Sequence, residues 1–137
     1  MNKTKKNSYA IVIQVRLNSQ RLKNKILKKI YKNQSVIEFL LVRLLKVFND
    51  KNILIALAKN KKNYKIKNIL SRYNIRYYEG SEGNVLKRYY ECADKYNVRD
   101  IIRITSDCPL IDPYLIKKMY KRYMSKNLEY LANTLPT

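Results

Sequence analysis

Histidine and tryptophan are absent from this chain of 137 residues, and cysteine occurs only twice, at Cys92 and Cys108. Without an imidazole there is no Ser/His triad, and with two distant cysteines outside any Cys-x-x-Cys pattern there is no zinc site. Neither cysteine has an activating base nearby in sequence, so neither reads as a nucleophile. Cys92, beside Ala93 on an expected helix, is read as core. Long apolar runs are also missing. The run that begins after Tyr9 is broken at Gln14 and Arg16, too soon for an export segment and far too soon for a membrane span. Residues 1–8 therefore read as a basic flexible tail, residues 9–137 as one α/β domain, and the location as cytoplasmic.

Acidic residues are the third shortage. Asp and Glu number 10 against 30 Lys and Arg, which gives a formal net charge of +20. Such an excess invites comparison with nucleic-acid binders, whose clustered cations neutralise phosphates and release counterions. Here the cations are spread over the whole chain and accompanied by abundant Asn, Ile and Tyr, all residues of A/T-rich codons. Base composition accounts for that without a nucleic-acid partner, and a basic nucleic-acid binder is carried only as an alternative. The 46% hydrophobic content is enough for a true core.

What is present is an alternation of strand-like and helix-like segments, the pattern of a parallel sheet with crossover helices. A first strand leads from Tyr9 into a loop carrying Arg16, Ser19, Arg21 and Lys25. Ser35-Val-Ile-Glu38 is a capping box, and Ile37, Leu40, Leu41, Leu44, Leu45 and Phe48 recur behind it at helical spacing up to Asn49-Asp50. A strand over 53–57, a helix around Ile66, Ile69, Leu70 and Tyr73, a short strand over 75–78 and a helix over 84–96 follow. Ser81 and Asn84 compete as the cap of that last helix. A strand then runs from Asp100 toward Asp107, and Asp112-Pro113 starts a final helix with aspartate as cap and proline in the first turn.

Two of these strands end on chemistry. In open α/β sheets ligands sit beyond the carboxyl ends of the strands. The first strand delivers three cations and a hydroxyl there, suited to a polyphosphate, and the strand before Asp107 delivers a carboxylate suited to a hard cation. Asp112 is explained as a cap, whereas Asp107 has no such explanation.

Four blocks carry a family resemblance: Val12-Ile-Gln-Val-Arg-Leu-Asn-Ser-Gln-Arg-Leu, Glu79-Gly-Ser-Glu-Gly-Asn-Val-Leu-Lys-Arg-Tyr-Tyr-Glu, Ile102-Arg-Ile-Thr-Ser-Asp-Cys-Pro-Leu-Ile-Asp-Pro, and Tyr130-Leu-Ala-Asn-Thr-Leu-Pro. In this order and spacing the chain resembles the cytidylyltransferases of the spore coat polysaccharide biosynthesis protein F type, relatives of those that activate ketodeoxyoctonate and acylneuraminate. The resemblance implies a Rossmann-like, three-layer nucleotide-diphospho-sugar transferase fold with a mostly parallel sheet. It also implies Mg2+ as cofactor, CTP and a sugar acceptor as partners, and a role in surface polysaccharide biosynthesis. On it, Arg16, Ser19, Arg21, Lys25, Gly80, Ser81 and Arg103 are expected to bind nucleotide, Asp107 to bind the metal, and Arg16, Lys25 and Asp107 to serve catalysis.

The chain departs from the family where Asn18, Lys23 and Asn24 stand in place of the expected Gly, Pro and Gly of the first loop, where Ser106 replaces the Gly before the aspartate, and where Gly83 and Asn84 replace an acidic pair. It also ends after Pro136-Thr137, short of the segment that builds the acceptor pocket and contributes to dimers in relatives. An incomplete domain, a homodimer or a complementing second half, and an exposed apolar face are the corresponding expectations. A catalytically inactive remnant or binding module of the same fold stays open as an alternative.

Overall fold

The run from Ile11 to Val15 reads as a strand buried on both faces, and the computed structural model, which describes residues 8–18 and 24–134, places it at the centre of the sheet. In chain order the elements are β1 (Tyr9–Val15), β2 (Lys29–Tyr31), β3 (Gln34–Ser35), α1 (Val36–Leu45), β4 (Ile53–Ala58), α2 (Tyr64–Arg72), β5 (Arg76–Gly80), α3 (Val85–Lys95), β6 (Asp100–Thr105) and α4 (Pro113–Ser125). The main sheet has the order β5-β4-β1-β6, and all its neighbours are parallel. Successive strands first step outward from β1 through β4 to β5, then return to pair on its other side as β6. The carboxyl ends of β1 and β6 therefore flank the crevice where the direction of winding reverses.

Alternate residues of the strands supply two cores. Ile11, Ile13, Ile53, Ile55 and Ile104 face α1, α2 and α4, whereas Ala10, Val12, Leu54 and Ala56 face Tyr89 and Cys92 of α3. The result is the three-layer α/β arrangement. Burial of Cys92 pushes its thiol up to about 11, which leaves it an inert packing group. No helix among the described residues is long and apolar enough to cross a membrane.

With only two glycines in the chain, asparagine takes over the left-handed backbone positions. Positive φ occurs at Asn24, Lys32, Asn33, Asn74, Asn97 and Asn127. After α2, α3 and α4, the residues Asn74, Asn97 and Asn127 each close the helix with paired reverse bonds, such as Asn97 N to Asp94 O and Val98 N to Ala93 O. Asn97→Ala should cost about 1 kcal/mol, because alanine lacks the local polar contacts that ease this conformation, and Asn97→Gly should cost nothing. Urea unfolding of the two variants checks this; equal stabilities would contradict it.

Several expectations shift. The β2–β3 hairpin, turning through Lys32 at φ 42 and Asn33 at φ 59, was not expected, because strands of three and two residues leave no periodic pattern to read. Helix α1 stops at Leu45, although Phe48 remains buried in the turn that follows. Strand β5 begins at Arg76 rather than Ile75, and Ile75 packs into the core on its way out of α2. The cap of α3 is Asn84, whose Oδ1 accepts from Lys87 N at 2.9 Å; Ser81 Oγ instead accepts from Asn84 N at 3.1 Å. Ser8, assigned to the tail, is fixed to the fold through its hydroxyl to Asn97 O at 2.8 Å, and residues 1–7 lie outside the described residues. Strand β6 forms one edge of the sheet, and Ile101 on it is exposed together with Leu110, Tyr114 and Leu115.

Candidate functional site

β1 ends at Val15 and β6 at Thr105, and the next residues of each strand define an open pocket of about 140 Å³. Its lining is Gln14, Arg16, Lys25, Ile26, Thr105, Ser106 and Asp107. The backbone reason for this convergence is the parallel register of Gln14 with Thr105, which Ser106 N extends by donating to Gln14 O at 3.3 Å. Asp107 follows in the turn and is exposed. On the other wall, Asn24 at φ 55 starts a single helical turn over Lys25–Leu27, and buried Ile26 anchors that turn beneath the pocket. Lys25 is thereby carried to Asp107, with Nζ 3.4 Å from Oδ2.

This ion pair joins residues 82 positions apart, but both side chains are solvent-exposed, so its value lies in placement rather than stability. The Thr105 hydroxyl, opposed by a smaller effect of burial, and then Lys25 hold the Asp107 carboxyl below the ordinary carboxylate range. Asp107 is thus an anion at any pH near neutrality. From the far side of the sheet, Arg43 of α1 donates through Nη2 to Ile111 O at 3.1 Å and so ties down the loop between Asp107 and α4. Arg43 was missed by the sequence reading, since nothing in a helical arginine announces a loop carbonyl as its partner.

Three loops at this edge are stitched together by side-chain amides. Asn60 Nδ2 donates to Asn18 Oδ1 at 3.2 Å, and Asn18 Nδ2 donates to Glu82 Oε1 at 2.8 Å. The segments after β1, β4 and β5 are thereby linked. Gly80 is buried at the end of β5, where an added Cβ would meet the Tyr78 ring at 2.7 Å and Arg88 Cγ at 3.2 Å. Ser81 begins the loop over α3.

Of the residues singled out from sequence, Arg16, Lys25 and Asp107 line the pocket together. Gly80 and Ser81 lie in the neighbouring loop, linked to this edge through Glu82. Ser19 and Arg21 lie outside the described residues, as does Lys23. Arg103, two residues before Thr105 on the same face of β6, is not among the lining residues; its guanidinium stands 5.6 Å from the centre of the Tyr89 ring. Ser106, which stands where a glycine was expected, is not among the residues of positive φ, so its side chain costs the turn nothing. Gln14 and Thr105 were not singled out; the one available signal was a polar residue interrupting the β-branched run of β1.

Among the described residues no group of three His, Cys, Asp or Glu could enclose a metal ion. A magnesium ion does not need one, since it keeps several waters and is often held by one or two carboxylates together with substrate phosphates. A lone ionised carboxylate beside a cationic pocket fits that donor set.

Comparison with known proteins gives a consistent picture. The sequence profile of the cytidylyltransferase family matches residues 10–135. An uncharacterized protein of Methanocaldococcus jannaschii is 34% identical over 121 residues, 88% of this chain and 49% of that protein. The spore coat polysaccharide biosynthesis protein SpsF of Bacillus subtilis is 27% identical over 128 residues, 90% of this chain and 53% of its own. Among solved structures, a cytidylyltransferase from Leptospira borgpetersenii superposes with a TM-score of 0.80 at 28% identity, covering 86% of this chain and 49% of that one. A CMP:2-keto-3-deoxy-manno-octonic acid synthetase complexed with CTP superposes with a TM-score of 0.72 at 18% identity, covering 88% and 48%, which speaks for the fold. The chain spans about half the length of each of these proteins.

Proposed function

Because the chain belongs to the cytidylyltransferase family, we propose that it is the nucleotide-binding half of a CTP:sugar nucleotidyltransferase that serves glycan or surface polysaccharide synthesis. The observation that carries this reading is the convergence of Arg16, Lys25 and Asp107 on one pocket at the switch point of the sheet. In nucleotidyl transfer an acceptor oxygen attacks the α-phosphate and pyrophosphate leaves. Negative charge grows at both groups, and fixed cations in a shaped site stabilise it.

Each residue has a role in that account. Arg16 presents a planar guanidinium to the phosphates, and Lys25 offers a mobile ammonium that exchanges its Asp107 partner for a phosphate oxygen. Ser19 and Arg21 complete the phosphate contacts, and Gly80 and Ser81 let the nucleoside approach the backbone of their loop. Arg103 acts at one remove, by bracing Tyr89 against β6. Asp107 would hold magnesium, which when bound neutralises phosphate charge and orients the leaving group. The acceptor would be an acidic or otherwise unusual sugar, and the protein would act in the cytoplasm, as a homodimer or beside a complementing half.

Calorimetric titration with CTP, ATP, GTP and UTP, with and without magnesium, tests this reading. CTP is expected to bind selectively and more tightly with magnesium, and Asp107→Asn should remove the magnesium effect. Equal, salt-sensitive binding of every triphosphate and of nucleic acid would overturn it in favour of a basic polyanion binder.

A further inference from the structure

Arg88 on α3 is fully buried, and among the described residues it is the largest side chain that is. Its position is a core position by spacing, three residues after Val85 and four before Cys92. The Nη1 group donates to the carbonyl of Ser81, and Glu82 O lies 3.4 Å away. Nε and Nη2 are buried and have no hydrogen-bond partner among the described residues.

Those two groups lie along one edge of the guanidinium plane. They form the side-on fork that matches two oxygens of a carboxylate or phosphate. No such partner is supplied. The nearby carboxylate, Glu82, spends Oε1 on Asn18, and Arg16 is close enough to repel the charge. Burial lowers the Arg88 pKa, Tyr89 opposes that, and Arg16 adds to it. A buried cation with an empty fork is a costly arrangement that a fold retains when something answers it.

The guanidinium is held from its other side by Ser81 and Glu82, whose carbonyls both face Nη1, and the only two glycines of the chain, Gly80 and Gly83, flank these two residues. Gly80 is required for close approach, as the contact with Arg88 Cγ indicates. Gly83 has neither a positive φ nor any atom within 4 Å of where a Cβ would stand. Nothing in the observed conformation asks for glycine there. Elsewhere the described residues meet left-handed positions with five asparagines and Lys32, never with glycine, so a glycine at 83 points to a segment with a second conformation to adopt.

We propose that the Nε–Nη2 edge of Arg88 is a receptor for a phosphate oxyanion of the nucleotide, engaged when the Ser81–Gly83 segment releases Nη1 and frees the guanidinium to turn outward. The inference rests on the CTP reading above for its ligand, but not for the presence of an anion site. Once the segment moves, the two carbonyls on Nη1 are exchanged for water, and the fork takes two phosphate oxygens next to Arg16.

The test uses the arginine Nε–H resonance of Arg88 in the wild-type protein, identified by its proximity to Gly80 and Ser81, titrated with CTP, inorganic tripolyphosphate and cytidine. CTP and tripolyphosphate should both shift it, and cytidine should leave it in place. In parallel, Arg88→Lys should weaken CTP binding by at least about tenfold with the melting temperature little changed, because an ammonium keeps the charge but not the fork. A resonance unmoved at saturating CTP, or an Arg88→Lys protein that binds CTP as the wild type does, overturns the proposal while the nucleotide reading stands. A shift with tripolyphosphate but no CTP binding beyond it upholds the receptor and removes the CTP reading. Should the lysine variant fail to fold, the wild-type resonance alone decides.

Discussion

Glu38→Ala should lower the unfolding free energy by about 3 kcal/mol and the melting temperature by about 10 °C. The Glu38 side chain is 4% exposed and collects four partners: Ser35 N at 2.7 Å, Ser35 Oγ at 2.6 Å, Lys29 Nζ at 3.1 Å and Arg72 Nη2 at 2.7 Å. These come from the hairpin, the start of α1 and the end of α2. Removing the carboxylate breaks the reciprocal half of the capping box and leaves the Ser35 amide and hydroxyl buried without it.

The same residue sets a pH dependence. Burial alone would raise its pKa, but hydrogen bonds from the Ser35 hydroxyl and amide, with Lys29, outweigh that and lower it from 4.5 to about 2. A depressed folded-state pKa means that the unfolded chain takes up the proton first. The contribution, again about 3 kcal/mol, is therefore complete above the unfolded value and vanishes as pH falls through the folded one. Urea unfolding of wild type and Glu38→Gln between pH 7 and pH 2 should give a gap that is constant down to about pH 5 and closes toward pH 2. A gap independent of pH would mean that shape, not charge, matters at this site.

Arg16→Ala carries the second large effect, about a hundredfold loss of CTP affinity with the fold intact. A charge-assisted contact to phosphate is worth about 1.5–3 kcal/mol, and the exposed position of Arg16 at the end of β1 gives it little part in the core. Lys25→Ala should cost less, about tenfold, because an ammonium is a point charge and wild-type Lys25 must give up its Asp107 partner to reach a phosphate. Titration calorimetry beside thermal melts separates the two cases. Arg16→Ala binding CTP like the wild type would remove it from the phosphate site, and a matching loss of melting temperature would assign it a structural role instead.

How much of this was legible beforehand depends on how far each signal reaches along the chain. The Ser35/Glu38 box and the Asp112-Pro113 start are local, since a cap and the amide it receives are two or three residues apart, and both stand where expected. The β-branched runs of β1 and β4 announced buried strands for a similar reason. The competition between Ser81 and Asn84 was not local enough to decide, because each can satisfy a backbone amide and only the observed loop shows which. Arg103 was placed by its nearness to Asp107 in sequence, and it shares a face of β6 with Thr105, yet it lies two residues back along the strand, beside the Tyr89 ring.

The sequence by itself determined the alternating elements, the capped helix starts, the central apolar strands, and cations and a carboxylate at strand ends, since periods of two and 3.6 residues and single caps act over a few bonds. The tertiary structure alone decided that β6 returns to pair beside β1. That pairing brings Arg16 and Lys25 to Asp107, while the packing of α1 beside α2 gives Glu38 its partner in Arg72, and the turn from β5 into α3 sets the Ser81 and Glu82 carbonyls on Arg88. The first two of these meetings join elements that are distant in the chain. Their energy comes from packing both faces of one sheet at once, which no window of the sequence contains.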